Sequence, residues 1–349
     1  FALIQFDIKR FKLINENYGE EAGTEMLHFI TRQLSNYCNA NQVSARVSGD
    51  VFMVMTPYED QNEIDETIAD IQQKVKNFRN YSYELAFGVY LVENREESVR
   101  AICDYADVAR QSIKKSALEN VAYFSNEMHR KIKARKFVEA NMKKALKNNE
   151  FLIYLQPKFS ISKKAPVGYE TLVRWQNPEQ GMIYPDTFIP LFEENGFIKK
   201  LDAYVWECTC MVLRDWIDRN FVPLPISVNV SRANLDDSSF IDTLDDLIKK
   251  YDLPKNLLEL EITESVESEA TLRMTNLIKE HGYTLLMDDF GSGYSSLNTL
   301  QNTKFDVLKL DREFFSSHMS NDRGKKIIMH TISMSKDVGL GLIAEGVET

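Results

Sequence analysis

From Phe151 onward, seven short apolar segments alternate with amphipathic stretches, and nearly every one ends on an acid, an amide or a lysine. The segments are "FLIYLQP", "PVGYETLVRW", "LPISVNVS", "LLELEITES", "YTLLMDDF", "FDVLKLD" and "GLGLIAEGVE". Strand–helix alternation of this kind argues for a parallel sheet or a (β/α) barrel. The strand ends read Glu170, Asn229, Glu261 and Glu264, Asp288 and Asp289, Lys309 and Asp311, and Glu345 and Glu348. In a (β/α) barrel the C-terminal strand ends face one mouth, and chemistry is assembled there. A single polar strand end is explained by a cap or a turn. Six in succession are not, because loop polarity alone favours Ser, Gly and Asn over acids.

The stretch "YTLLMDDFGSGYSSL" sharpens the point, since it closes a buried-looking strand with Asp288 and Asp289 side by side. Like charges that close raise each other's pKa unless a cation or a donor lies between them. Carboxylates and one amide, without His or Cys, form a hard oxygen set that suits Mg²⁺, Mn²⁺ or Ca²⁺ rather than zinc. Two such ions stabilise both oxygens of an in-line displacement at phosphorus, and Lys309 adds a point charge for a phosphate or a metal-bound hydroxide. The residues alone therefore indicate a metal-dependent phosphodiester or phosphoryl enzyme and do not name its substrate. His28, His129, His281, His318 and His330 lie outside these motifs and are assigned to surface or packing roles.

The region up to Phe124 reads β-α-β-β-α-β followed by a further helix and a short strand. "FALIQFDI" is a strand, residues 23–37 carry helical periodicity, and "SARVSGDVFMVMT" is a hairpin turning at Ser48-Gly49-Asp50. Helices are expected near 63–78 and 99–115, with strands at "YELAFGVYLV" and "NVAYF". Residues 125–148 read as a linker helix with Met128, Ile132, Val138, Met142 and Leu146 on its apolar side; its many lysines are solvated. The expected domains are thus 1–124, the linker 125–148, and 149–349.

Composition excludes several classes. A formal net charge of −10 over 349 residues argues against a nucleic-acid polymer as partner. No apolar run reaches the length of a membrane span, and no signal peptide opens the chain. Cys38, Cys103, Cys208 and Cys210 lack disulfide-framework or zinc spacing, so reduced thiols in a cytoplasmic protein are expected.

"YETLVRW", "SVNVS", "ELEITES", "DDFGSGYSSL", "DVLKLD" and "AEGVET" resemble, in order and context, the EAL-domain cyclic di-GMP phosphodiesterases. The resemblance implies a TIM-like barrel enzyme that hydrolyses cyclic di-GMP to linear pGpG with Mg²⁺ or Mn²⁺. It implies Glu170, Asn229, Glu261 and Asp288 as ligands of one metal, with Asp288 bridging, and Asp289 as a ligand of the second. Lys309 resembles the residue that positions the attacking water, and Glu345 a metal-shell or base-like partner. Glu264 resembles the anchor of the loop that follows Asp288, and Glu348 belongs to the same signature. Gln156, Arg174 and Asp311 match positions that contact the dinucleotide. Family members commonly pair through the barrel, which implies a homodimer. They also continue past "EGVET", so the barrel's closing segment is expected to be missing from this chain.

Residues 1–124 resemble the GGDEF diguanylate cyclases through "FALIQFDIKRFKLINENYG" and "ARVSGDVFMV". The signature is degenerate: Val51 stands where that family has a metal-binding glutamate, and Lys9 where the metal loop often has a second acid. The inhibitory Arg-x-x-Asp site reads "NANQ". No cyclase activity is expected, while Asp7 and Asn15 keep a regulatory GTP site open beside a purely structural role. The alternative for the whole chain is a catalytically silent cyclic di-GMP receptor that signals by domain rearrangement; the intact acid set favours the enzyme.

Overall fold

The computed structural model describes residues 1–76, 78–79, 81, 83–92, 94, 96–114, 116, 118–263, 269–291 (backbone only for 269–271), 300–301, 303–312, 314–315 and 322–347. The chain divides into two compact units, Phe1–Phe137 and Val138–Thr349.

The first unit runs β1 (Ala2–Ile8), α1 (Phe11–Tyr18), α2 (Glu20–Tyr37), β2 (Val43–Ser48), β3 (Val51–Thr56), α3 (Gln61–Val75), β4 (Leu85–Leu91), α4 (Val99–Ile113) and β5 (Val121–Tyr123). Its sheet has the order β2-β3-β1-β4-β5, antiparallel except for the β4–β5 pair. β1 lies at the centre and is buried along its whole length, which is why "ALIQFDI" shows no clean alternation. Helix α4 turns Ile102, Ala106, Ala109 and Ile113 inward. It approaches β4 closely because Gly88 has no side chain; a Cβ there would overlap the backbone of Ala106 and Arg110. One element departs from the sequence reading. The metal-loop region after β1 is the two-turn helix α1, too short to announce itself by periodicity.

Helix α5 (Asn126–Lys147) follows, and the division between the units falls inside it. Of its expected apolar side, Val138 is buried, and Ala145 joins it in place of Leu146.

The second unit runs β6 (Phe151–Ser160), β7 (Ala165–Asn177), β8 (Gly181–Ile183), α6 (Pro185–Asn195), α7 (Ile198–Asp218), β9 (Ile226–Asn229), α8 (Arg232–Leu235), α9 (Ser239–Lys250), β10 (Leu258–Thr263), α10 (Glu269–Glu280), β11 (Thr284–Phe290), β12 (Val307–Leu310), α11 (Asp322–Asp337) and β13 (Gly341–Ala344). The strands form one curled, TIM-like sheet in the order β13-β12-β11-β10-β9-β7-β6, with β8 paired to β7. Along β7-β9-β10-β11-β12-β13 every neighbouring pair is parallel, while β8 lies antiparallel on β7. The β6–β7 pair is antiparallel, because residues 161–164 are too few for the crossover that parallel neighbours need.

Alternation then sorts the side chains of each strand. On β10, Leu258, Leu260 and Ile262 enter the apolar core, which leaves Glu259 and Glu261 for the opposite face. Behind β9, the buried Asp202 of α7 braces the turn into α8. Its Oδ2 accepts from the Ser231 backbone N–H at 3.0 Å and from Asn234 Nδ2 at 2.7 Å.

Burial pushes the Asp202 carboxyl up to about 6, against the hydrogen bonds that favour its ionised form. A folded value above the unfolded one means stability that is complete below about pH 4 and lost as pH rises through 6. Asp202→Asn keeps one oxygen to accept both bonds and cannot ionise. It is expected to be more stable than wild type by about 1–3 kcal/mol at pH 7.5 and no more stable at pH 4. Denaturant melts at both pH values check this, and an equal effect at both would contradict it.

Candidate active site

Lys309 is the middle of the site. It lies in β12, its side chain is 1% exposed, and its ammonium touches four carboxylates. Nζ is 3.0 Å from Glu170 Oε2 (β7), 2.7 Å from Glu261 Oε2 (β10), 3.0 Å from Asp288 Oδ1 (β11) and 2.8 Å from Glu345 Oε1, just after β13. Curling of the sheet brings these four carboxylates onto one point; Glu170, expected at a strand end, lies in the middle of the long β7. A second cation, Lys158 of β6, holds Glu261 from its other oxygen at 3.2 Å and Glu259 at 3.0 Å.

Adjacent strand residues normally face opposite sides of a sheet. Asp288 and Asp289 escape this because the β11–β12 register shifts between Met287 and Phe290, and Asp289 takes a left-handed backbone with φ 57°. Aspartate tolerates that region better than most residues. The Asp289 N–H donates to Asp288 Oδ1 at 3.0 Å, so the turn is tied to the carboxylate it displays. Gly291 completes the turn at φ 96°, where a Cβ would overlap the Phe314 ring.

The crowding appears in the proton affinities. Burial, reinforced by Glu261, raises Glu170 to about 7 although Lys309 opposes it. Burial with Asp288, Asp311 and Glu345 nearby raises Asp289 to about 6. Glu345 is likewise raised by burial. Burial also acts to raise Glu261, but Lys309 and Lys158 outweigh it and hold that carboxyl below its ordinary value. Burial acts to lower Lys309, yet Glu261, Asp288, Glu170 and Glu345 together raise it well above an ordinary lysine, so it stays charged.

Two sets of three carboxylates bring ligand oxygens within 4.8 Å of one another: Glu170, Glu261 and Asp288, and Asp288, Asp289 and Glu345. The sets share Asp288 and offer only hard oxygen donors, which fits Mg²⁺ or Mn²⁺. Asn229 stands at the exposed end of β9, in register with Glu261. Gln156 pairs with Glu170 across β6–β7, and Arg174 lies further along β7 with its guanidinium 5.7 Å from the Tyr184 ring. Asp311 follows β12 and is close enough to Asp289 to raise it. Glu264 and Glu348 lie outside the described residues, as does the loop beginning at Ser292. Sequence reasoning missed Lys158. The signal was there, because Lys158 follows Gln156 by two residues and so shares its face of the strand.

The first unit treats its acid differently. Asp7 is 0% exposed, and its Oδ2 pairs with Arg110 and, at 2.6 Å, with Lys114. Asn15 packs against Gly23, where a Cβ would collide with its Oδ1. Lys9 donates to Ser116 O at 2.7 Å, Glu119 O at 2.8 Å and Asn120 Oδ1 at 2.7 Å. Val51 offers no ligand oxygen, and Asp7 is held through Oδ2 by Arg110 and Lys114 while its Oδ1 is buried without a hydrogen-bond partner.

Two family models match the chain. The family model described as "EAL domain" matches residues 139–349, and that described as "Diguanylate cyclase, GGDEF domain" matches 1–120. The chain is 30% identical over 356 residues to the Pseudomonas aeruginosa protein named "Cyclic di-GMP phosphodiesterase NbdA", covering all of this chain and 46% of that protein. It is 28% identical to "Cyclic di-GMP phosphodiesterase PdeR" of Escherichia coli, again over all of this chain and over 54% of the relative. The chain thus spans about half the length of the curated relatives it matches. Among solved structures, "PaMucR Phosphodiesterase, c-di-GMP complex" aligns with TM-score 0.57 and 29% identity over 61% of this chain and 87% of that one. "Vibrio cholerae LapD S helix-GGDEF-EAL (bound to c-di-GMP)" aligns with TM-score 0.56 over the whole chain and 84% of its own; at 21% identity it speaks for the fold alone.

Glu170 and Asp289 both have folded values above the ordinary carboxylate range. Their contribution to stability is therefore complete below about pH 4 and lost as pH rises through 6 and 7. The metal-free protein is expected to be less stable at pH 8 than at pH 5 by on the order of 2 kcal/mol, and so to melt at a lower temperature there. Glu170→Gln should flatten that slope, and added Mg²⁺ or Mn²⁺ should restore the melting temperature at pH 8. A melting temperature indifferent to pH and to metal would contradict this account.

Proposed function

The chain belongs to the EAL-domain family, with a GGDEF-domain region ahead of it, and from that premise we propose that it hydrolyses cyclic di-GMP to linear pGpG. The observation that carries the reading is one protonated lysine enclosed by carboxylates from four strands, on a barrel whose family relatives bear phosphodiesterase names. Glu170, Asn229, Glu261 and Asp288 would hold one divalent cation, and Asp288 and Asp289 a second, with Glu345 beside it. When bound, Mg²⁺ or Mn²⁺ supplies charge for the phosphate oxygens and an acidified water.

The chain's own groups do the rest. Lys309 keeps its proton and so acts as a fixed positive charge that orients the attacking water and the phosphate, not as a base. Glu345, bonded to Lys309 and raised by burial, is suited to take a proton from that water. The water oxygen bonds to phosphorus, the bond from phosphorus to the 3′ oxygen breaks, and the proton taken up by Glu345 passes through solvent to that oxygen. Gln156, Arg174 and Asp311 would hold the dinucleotide. Glu264 and Glu348 enter through the family resemblance only, as loop anchor and signature acid. The resemblance likewise supports a homodimer in a cytoplasmic setting. Among the described residues no helix is long and apolar enough to cross a membrane.

The first unit is read as inactive in cyclisation, supported by Val51 and by the Asp7–Arg110 pair. A regulatory GTP site would have to use Asp7, whose Oδ2 is held by Arg110 and Lys114, and Asn15; Asp7 Oδ1 and Asn15 Oδ1 are both buried without a hydrogen-bond partner. Calorimetry with GTP and Mg²⁺ tests it: saturable heat supports a regulatory site, and no heat at high concentration leaves a structural unit.

The decisive measurement is cyclic di-GMP turnover with Mg²⁺ and then Mn²⁺. Linear pGpG is expected from the wild type only with metal, and Glu170→Ala and Lys309→Ala should each lose about 100-fold or more in kcat. Tight binding of cyclic di-GMP without turnover in either metal would replace the enzyme by a receptor.

A further inference from the structure

We infer that Lys158 is a positioning residue for the acid cluster: it clamps the outer oxygen of Glu261 so that the other oxygen alone faces Lys309 and the candidate metal positions. The inference deepens the metal reading of the site and rests on it.

Lys158 belongs to β6, and Glu261 to β10, with β7 and β9 between them in the sheet order. The contact therefore crosses the concave side of the curled sheet and does not pass between neighbouring strands. Lys158 Nζ is 3.2 Å from Glu261 Oε1, while Lys309 Nζ is 2.7 Å from Glu261 Oε2. The two lysines thus take opposite oxygens of one carboxylate that is 0% exposed. They differ in what else they touch. Lys309 also contacts Glu170, Asp288 and Glu345, the same groups that make up the two candidate metal sets. Lys158, with its side chain 10% exposed, has only Glu259 as its other ion-pair partner among the described residues.

That difference decides their roles. A cation arriving among Glu170, Glu261 and Asp288 competes with Lys309 for the same oxygens. Glu261, cut off from water, needs a partner that remains in place whether the mouth is filled or empty. Lys158 is that partner, on the far oxygen. Glu259 balances its charge at 3.0 Å, so Lys158 adds geometry to the cluster more than it adds net field. A carboxylate held this way has no freedom to swing or to present both oxygens. Partners behind a metal ligand typically change metal affinity 10–100-fold when removed.

The test is Mn²⁺ binding to the whole chain without nucleotide, followed by the electron paramagnetic resonance of free Mn²⁺, with near-ultraviolet circular dichroism reporting the folded fraction. Lys158→Met is expected to weaken the tightest Mn²⁺ site 10–100-fold per folded molecule. Lys158→Arg should restore most of the loss. Lys158→Met with Glu259→Gln keeps the local net charge of the wild type but leaves Glu261 without Lys158, held only by Lys309 and the Ser227 hydroxyl, so it should stay weak; it also carries the test if the single variant fails to fold. Unchanged or tighter Mn²⁺ binding in Lys158→Met overturns the inference, even if stability drops. So does a return to wild-type affinity in the double variant, which would reduce Lys158 to a charge balance. Absence of Mn²⁺ binding in the wild type would remove the metal reading itself and this inference with it.

Discussion

A lysine buried among carboxylates is the interaction on which the second unit is organised. The ionised acids of four strands cannot be drawn together in a low-dielectric interior without a cation between them. Lys309 supplies it, and the arrangement gives each strand end a common target. The balance is incomplete. Burial first, and neighbouring carboxylates second, hold Glu170 and Asp289 above their ordinary proton affinities despite Lys309. The site is poised between taking up protons and taking up metal.

Backbone detail makes this possible where pattern alone would not. Without the register shift in β11, alternation would point either Asp288 or Asp289 into the apolar layer between sheet and helices. The left-handed Asp289 and the glycine two residues on convert a strand end into a turn that shows both carboxylates to the mouth. Function here is set by a local irregularity in an otherwise regular strand.

Much of this was legible in the sequence. Strand–helix alternation after Phe151 and the acids at strand ends were enough to anticipate the sheet and to gather Glu170, Glu261, Asp288, Asp289, Lys309 and Glu345 at one place. What stayed hidden has physical reasons. The antiparallel β6–β7 opening depends on a connection only four residues long, which is a statement about reach and not about periodicity. Lys158 was hidden because its partners are about a hundred residues away in sequence, at Glu259 and Glu261, and only the curl of the sheet brings them near. Arg110 and Lys114 on Asp7 were hidden for the same reason, since α4 meets β1 through a tertiary contact that depends on the bare backbone of Gly88.

Charge balance separates the two units more sharply than their motifs do. In the first unit Asp7 and Asp107 meet Arg110 and Lys114, so the acids are matched by cations that the chain itself provides. An incoming divalent ion would have to displace a buried guanidinium whose own partners would then be lost, a cost of several kcal/mol before any gain. In the second unit Glu170, Glu261, Asp288, Asp289 and Glu345 face Lys309 and Lys158, and Lys158 is already shared with Glu259. Acids there outnumber the cations the chain provides. A divalent ion entering that cluster relieves repulsion that the folded chain otherwise sustains. The two regions thus differ in charge balance: the acids of the first are paired with an arginine and a lysine of the chain, and those of the second outnumber its cations.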